Sequence, residues 1–333
     1  MLFTRVATIG LFLLSTGYLV SQNTAEVHSV RLESGVSGHI HPSICVCKSG
    51  ALVAVYCKSE YKPCLITRST DGGMTWSKPS LFPHTVNTDI YPGSLTTLAD
   101  GKIVHMWNVW FKTGEKTKSR HVAYSVSSDD GITWSKPENI SKNRDEKVES
   151  VIRHPFIELS KNEWLLTLMD RTVVYNPVSK MEKPFGDGRK HGLVPIVKTM
   201  AGTLISGTGL RSTDGGKQWS EIKNFPDIST QGWRHEMLAL EDGLVMVSQI
   251  PGPGIGGDRI QFVFSQDDGK TWNTKQPFEF YNPQRAIGGR ACPRTVLLKS
   301  GSLGTIFYDT DPKQVDGSGV FYRKTGKSAW GMN

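Results

Sequence analysis

Basic and imidazole side chains gather ahead of a recurring proline. The pairs His41-Pro42, Tyr91-Pro92, His154-Pro155, Val194-Pro195 and Cys292-Pro293 share this layout, and His235-Glu236 repeats it with Glu in place of Pro. Close by stand Asp89, Arg153, Arg234, Arg290 and Arg294. Guanidinium forks hold planar anions such as carboxylate or sulfate through paired hydrogen bonds. A neutral imidazole serves as a base near pH 7. Glu236 and Asp89 add carboxyl groups, and Tyr91 a phenol able to act as nucleophile or proton donor. If the segments converge, His41, His154, His235, Tyr91, Asp89 and Glu236 form a proton-transfer and nucleophile set among arginines suited to an anion. Each residue also has a plainer reading. An arginine can brace neighbouring elements through an ion pair, and a histidine can hydrogen-bond a strand carbonyl. The spacing of the three histidines supports no metal site, and no cofactor is expected.

The elements that must position these residues are short strands. Each pair is followed by a turn residue, in order Gly50, Gly101, Asn162, Gly202, Gly243 and Gly301, and then by a second apolar stretch such as Ala51 to Tyr56. The layout reads strand, turn, strand, six times over. A composition of 34 Gly, 17 Pro and 9 Trp in 333 residues suits many tight turns. No long window shows a clean helical period.

A second repeat confirms that spacing. Ser69-Thr-Asp71-Gly-Gly73-Met-Thr75-Trp76, Ser127-Ser-Asp129-Asp-Gly131-Ile-Thr133-Trp134, Ser212-Thr-Asp214-Gly-Gly216-Lys-Gln218-Trp219 and Ser265-Gln-Asp267-Asp-Gly269-Lys-Thr271-Trp272 follow one pattern. Its chemistry is local: Asp accepts from following amides, Gly takes a positive φ, and Trp folds back onto the sheet, as in a hairpin turn. The four Asp residues lie 58, 85 and 53 positions apart, so the long gap covers nearly two repeats. One unit, around Arg153 to Asp187, has therefore lost its copy. The last unit is short of strands, and Glu26 to Leu32 alternates as a strand able to complete it, which closes a ring and removes open edges.

This pattern resembles the Asp-box, or BNR, repeat of the sialidase (neuraminidase) superfamily, over essentially the whole chain after the N-terminal segment. The resemblance implies an all-β, six-bladed β-propeller with its boxes away from the active face. It further implies three arginines holding a substrate carboxylate, a Tyr nucleophile assisted by Glu, and an Asp acid/base. Glu236, Arg259 and Arg290 or Arg294 fall where the family's Glu and its second and third arginines stand. Tyr308 is the candidate for the tyrosine. Two positions depart from the pattern. The family's Arg-Ile-Pro is Ile40-His41-Pro42 here, and the acid/base region, Cys57 to Cys64, holds Glu60 and no Asp.

Residues 1–22 read as a signal peptide: Arg5, then an apolar run from Val6 to Leu14 and on to Val20. The other reading of that run is an uncleaved membrane anchor. The formal net charge is +8, with no Lys/Arg block of the kind that binds nucleic acid. Export then favours an anionic glycan as partner, with no nucleic acid and no integral membrane segment after cleavage. Cys57 and Cys64 flank a turn, and an oxidising compartment would allow a disulfide between them. Zinc fits no spacing of the five cysteines.

The sequence thus predicts a secreted (periplasmic or extracellular) single-domain propeller over 26–333. Its expected activity is that of an exo-glycosidase on a sialic acid, uronate or sulfated sugar. A glycan-binding propeller without turnover, a uronate-directed lyase using His, Tyr and Arg, and a protein-interaction scaffold are the alternatives.

Overall fold

A computed structural model describes residues 27–38, 40–59, 62–83, 90–113, 117–140, 150–226, 235–241, 243–249, 259–283, 291–310 and 317–330. The fold is all-β. Six four-stranded antiparallel sheets form the blades of a β-propeller. Blade 1 is β2 (Ser43–Val46), β3 (Leu52–Ser59), β4 (Lys62–Ser69) and β5 (Ser80–Leu81). Blade 2 is β6 (Ile90–Thr97), β7 (Ile103–Thr113), β8 (Thr117–Ser127) and β9 (Glu138–Asn139). Blade 3 is β10 (Ile157–Ser160), β11 (Glu163–Thr167), β12 (Thr172–Asn176) and β13 (Met181–Pro184). Blade 4 is β14 (Ile196–Lys198), β15 (Leu204–Ser206), β16 (Leu210–Ser212) and β17 (Ser220–Glu221). Blade 5 is β18 (Met237–Ala239), β19 (Val245–Gln249), β20 (Ile260–Ser265) and β21 (Phe278–Tyr281).

Blade 6 joins the two ends of the chain. Its inner strands are β22 (Arg294–Leu297), β23 (Leu303–Asp309) and β24 (Gly319–Thr325), and its outermost strand is β1 (Val27–Ser34). Val27 pairs with Thr325 and Ser34 with Gly319. Pairing the N-terminal strand with the last hairpin leaves no blade incomplete, as strand counting in the sequence required. β2 packs against both β6 and β22, which closes the ring.

The innermost strands all start at one face, here the upper face, and run downward. Register places the boxes at the opposite, lower face: Val46 pairs with Leu52, Leu52 with Ser69, and the first box follows Ser69. Within that box Ser69 Oγ donates to Asp71 Oδ1 at 2.8 Å and Gly73 N donates to Ser69 Oγ at 2.9 Å. Thr75 N donates to Asp71 Oδ1 at 2.9 Å, and Trp76 Nε1 to the Gly73 carbonyl at 3.1 Å. The hydrogen bonds from Thr75 hold the Asp71 carboxyl down at about 2, and those from Thr133 do the same for Asp129.

The box glycine also docks each blade onto the one before it. A Cβ on Gly73 would stand 2.1 Å from the Tyr322 ring of blade 6, and one on Gly269 would stand 2.2 Å from Ile205 of blade 4. Both residues have positive φ, 90° and 79°. Gly is required there by backbone angle and by contact together. In blade 3 a four-residue turn, Pro177 to Lys180, replaces the box. Asn176 Oδ1 accepts from Val178 N and Ser179 N, both at 2.9 Å, and Lys180 takes φ 61°.

Apolar residues pack between adjacent sheets. Cys45, Val53, Val55, Phe82, Ile103 and Trp107 fill the seam of blades 1 and 2, and Met246, Phe262, Phe307 and Trp330 that of blades 5 and 6. Cys57 and Cys64 correct the sequence reading. They are cross-strand partners on β3 and β4, yet both thiols are buried and free, with no disulfide between them. Burial raises the Cys57 thiol well above its ordinary range. Among the described residues no group of His, Cys, Asp and Glu is arranged to hold a metal ion, and no helix is long and apolar enough to cross a membrane.

Candidate active face at the central channel

The innermost strands of all six blades line an axial cavity of about 520 Å³. His154, Glu236 and Arg294 stand at its upper end, where β10, β18 and β22 begin. In blades 1, 3, 5 and 6 the chain ahead of the inner strand is held by a main-chain bond from the second strand of the same blade or the residues just beyond it. Cys57 N donates to Ile40 O, Met169 N to Val151 O, Ser248 N to Glu236 O, and Tyr308 N to Ala291 O. These bonds carry the chain inward over the channel mouth. Three non-glycine residues there adopt positive φ: His41 at 47°, Ala291 at 51° and Cys292 at 40°. Such angles are costly for L-residues and persist where surrounding packing over-determines them.

Arg294 is the hub. Its Nη1 donates to Pro293 O at 2.8 Å and to His235 O at 3.3 Å, and its Nη2 donates to Arg153 O at 3.2 Å. Arg294 belongs to blade 6 and Arg153 precedes blade 3, on the opposite side of the ring. The guanidinium therefore spans the mouth of the channel. Nη1 also lies 3.2 Å from Glu236 Oε2, forming a buried ion pair. Arg294, Glu236 and Arg153 are all buried.

Burial lifts the Glu236 carboxyl from 4.5 to about 7, against the opposing pull of Arg294 and Arg153. The attraction of the two guanidinium groups does not repay the hydration that the carboxylate loses on burial. A carboxyl group poised near 7 exchanges protons readily at neutral pH. The Glu236 main chain is fixed from β19, since its N–H donates to Ser248 Oγ at 2.7 Å.

Two of the three histidines hydrogen-bond main-chain carbonyls. His235 Nδ1 donates to Ser248 O at 3.0 Å, and His154 Nε2 donates to Leu193 O at 3.2 Å, linking blades 3 and 4. His41 is buried, with its ring edge-on to Tyr308, centroids 6.4 Å apart. The structure thus brings His154, His235, Glu236, Arg153 and Arg294 together, with His41 at the start of blade 1 beside Tyr308. Arg259 stands elsewhere: its half-exposed guanidinium pairs with Glu279 on the outermost strand of blade 5. Tyr91 lies on β6, paired with Asn108. Asp89, Arg234, Arg290, His39, Trp233 and Glu60 lie outside the described residues.

Three features escaped sequence reading. Asn108 Nδ2 donates to Ile152 O at 2.9 Å and Ile152 N donates to Asn108 Oδ1 at 2.7 Å, which ties blade 2 to the segment carrying Arg153. Ser248 locks Glu236 in the same way. A polar residue inside an apolar strand, as in Met106-Trp-Asn108-Val and Val245-Met-Val-Ser248, is the signal that could have found both. The third is a phenol–carboxylate pair on the upper face: Tyr281 Oη donates to Asp309 Oδ2 at 2.7 Å across the seam of blades 5 and 6, and Asp309 is buried.

Comparison with known proteins agrees with this architecture. Residues 67–78, covering the first box, match the BNR/Asp-box repeat family. A sialidase of Bacteroides fragilis is 25% identical over 288 residues, 77% of this chain and 46% of the relative. The chain thus spans less than half of that relative's length. The leech intramolecular trans-sialidase superposes with a TM-score of 0.65 at 13% identity, over 91% of this chain and 71% of its own. The intramolecular trans-sialidase of Ruminococcus gnavus gives 0.61 at 13% identity, over 91% and 98%. Repeat, sequence relative and superposition meet in one description: this chain is a sialidase-like BNR/Asp-box β-propeller.

Proposed function

We propose that the protein is an exported sialidase-type glycosidase acting on an anionic glycan at the upper face. The observation that carries this reading is the Glu236 carboxyl, held near neutral pKa between Arg153 and Arg294 where the six blades meet. Glycoside hydrolysis needs two carboxyl or equivalent groups, one of them able to donate a proton. Glu236 meets the proton-transfer requirement. Tyr281 with Asp309, on the same face, offers a phenol beside a carboxylate, and Tyr91 and Asp89 remain the candidates named by sequence. Arg234 and Arg290 are the arginines proposed to meet the substrate anion, because Arg294 already spends its donors on main-chain carbonyls.

That internal use of Arg294 also favours a second reading, a propeller that captures a glycan without cleaving it. One assay separates the two. The purified protein is offered a panel of sialosides, uronosides and sulfated glycosides, and release of the aglycone is followed. Turnover that disappears in Glu236→Gln and in Arg234→Ala, with the fold retained, supports the enzyme. Binding to a member of the panel without turnover, unchanged in Glu236→Gln, overturns it in favour of capture. Export is tested by the N-terminal residue of the protein recovered outside the cytoplasm, expected between Ser21 and Ala25.

A further inference from the structure

An indole packs into each seam between adjacent blades. In the four boxed blades it is the box tryptophan. Trp76 lies 5.2 Å from Tyr322, Trp134 5.0 Å from Phe82 and Trp272 5.2 Å from Phe225, ring centre to ring centre, and Trp219 joins the seam of blades 3 and 4. Each of the four donates its Nε1 proton to the glycine carbonyl of its own box, at 3.0 to 3.2 Å. The two seams that no box serves use other indoles. Trp330 packs on Phe264 between blades 5 and 6, and Trp164 of β11 packs on Phe156 and Tyr124 between blades 2 and 3. Both are buried, and the Nε1 of each has no acceptor among the described residues. Loss of the box removes the carbonyl along with the turn, and a buried donor left without an acceptor is costly.

At Trp164 the space left by the box is open. Tyr124 on β8 is the counterpart of Tyr322 on β24, since each pairs with the fourth residue of its blade's second strand, Met106 and Ile306. Tyr322 Oη donates to the Gly72 carbonyl of the box packed against it, at 3.1 Å. No box covers Tyr124; its Oη donates to Glu138 Oε2 at 3.2 Å and accepts from Lys180 Nζ at 2.8 Å. Here, at the lower face, lies a cavity of about 650 Å³ lined by Tyr124, Val126, Leu159, Trp164, Pro177 and Lys180, within the range of small-molecule sites. Its charges balance. Asp100, Glu138 and Glu158 stand with Lys102, Lys161 and Lys180, Lys102 being paired to Asp100 and Lys180 to Glu138. The cavity therefore suits a neutral ligand.

We propose that this cavity is a second glycan site, which takes the acetamido group of an N-acetylated sugar. The acetamido carbonyl accepts from Trp164 Nε1 in place of the missing box carbonyl. Its methyl group rests on the apolar wall of Val126, Leu159 and Pro177. The ring hydroxyls meet Lys180, Glu138 and their charged neighbours, which offer donors and acceptors alike. A neutral ligand with a carbonyl, a methyl and hydroxyls matches the orphaned donor, the wall and the rim together. The site is at the opposite end of the propeller from Glu236, and its occupancy requires no turnover there.

The test titrates the full chain, isotopically labelled at its indole nitrogens, with N,N′-diacetylchitobiose and with cellobiose, which has the same linkage but no acetamido groups. The acetylated sugar is expected to move the indole N–H resonance that is missing from Trp164→Phe. It should also bind at least about threefold more tightly than cellobiose, as one neutral hydrogen bond allows. Trp164→Phe keeps an aromatic ring and should lose that preference. Val126→Trp, at a half-buried position on the cavity wall, leaves the core intact and should abolish binding. Equal affinities for the two sugars, or a preference unchanged in these variants, overturns the proposal. So does binding that is lost in Glu236→Gln and kept in Trp164→Phe, which would put the sugar at the channel mouth. Tighter binding of an amide-capped peptide with the sequence of Ser69 to Trp76 would assign the cavity to a peptide turn and overturn its assignment to a sugar.

Discussion

The Arg294 guanidinium lies 3.2 Å from the Glu236 carboxylate and at the same time donates to the Arg153 carbonyl on the opposite side of the ring. One side chain thus ties blades 3, 5 and 6 and sets the charge environment of the carboxyl most suited to proton transfer. Removing one partner of a buried pair strands the other charge, whereas replacing both with apolar groups can be nearly neutral.

Arg294→Met is therefore expected to lower stability by about 3–5 kcal/mol in urea unfolding. The double variant Arg294→Met with Glu236→Leu should recover part of that loss. A double variant whose loss equals the sum of the two single losses would show that the charges are not coupled.

Glu236 itself should give a pH signature. Its carboxyl holds a proton more tightly in the fold, at about 7, than its ordinary value of 4.5. The stabilisation it contributes is complete below about 4.5 and is lost as pH rises through about 7. Gln mimics the protonated acid at every pH. The stability of the native protein relative to Glu236→Gln should fall by on the order of 3 kcal/mol between about pH 5 and about pH 8. A difference that stays flat across this range would falsify the burial argument.

Neighbouring glycines of the first box should respond very differently. Gly72 and Gly73 both have positive φ, but a Cβ on Gly72 meets nothing within 4 Å while one on Gly73 meets Tyr322 at 2.1 Å. Gly72→Ala is expected to cost about 1 kcal/mol from backbone strain. Gly73→Ala should cost about 3 kcal/mol or more, because the blade 6–blade 1 seam must open. Equal losses in thermal unfolding would remove the inter-blade role assigned to the box.

His105 offers an acid-sensitivity test far from the site. It is fully buried against Phe82 and Trp107, and neither ring nitrogen is hydrogen-bonded to a described residue. Burial drops it from 6.5 to about 3. The unfolded chain takes up the proton first, so stability is lost as pH falls below about 6.5, at about 1.4 kcal/mol per pH unit. His105→Leu should remove about 2 kcal/mol of that loss by pH 5; an unchanged acid limb in urea titrations would show that the ring is hydrated.

Blade number, box positions, the boxless third blade and the closure of blade 6 by the N-terminal strand were all readable in the sequence. Each rests on short-range chemistry. The Ser69-Asp71-Gly73-Thr75-Trp76 circuit is closed by bonds no more than four residues apart, so its composition carries its conformation. Sequence also marked the residues ahead of each inner strand as those nearest the axis. Their roles were decided by the tertiary structure. Arg294 stood among the arginines expected to meet an anion, and what the fold adds is donation to carbonyls 59 and 141 positions away, which come within reach only once the ring is shut. The free Cys57 and Cys64, the surface pairing of Arg259, and the burial that lifts Glu236 toward neutrality have the same origin. Local hydrogen bonds are written into neighbouring residues, whereas burial and cross-axis contacts exist only when six separate sheets are packed around one channel.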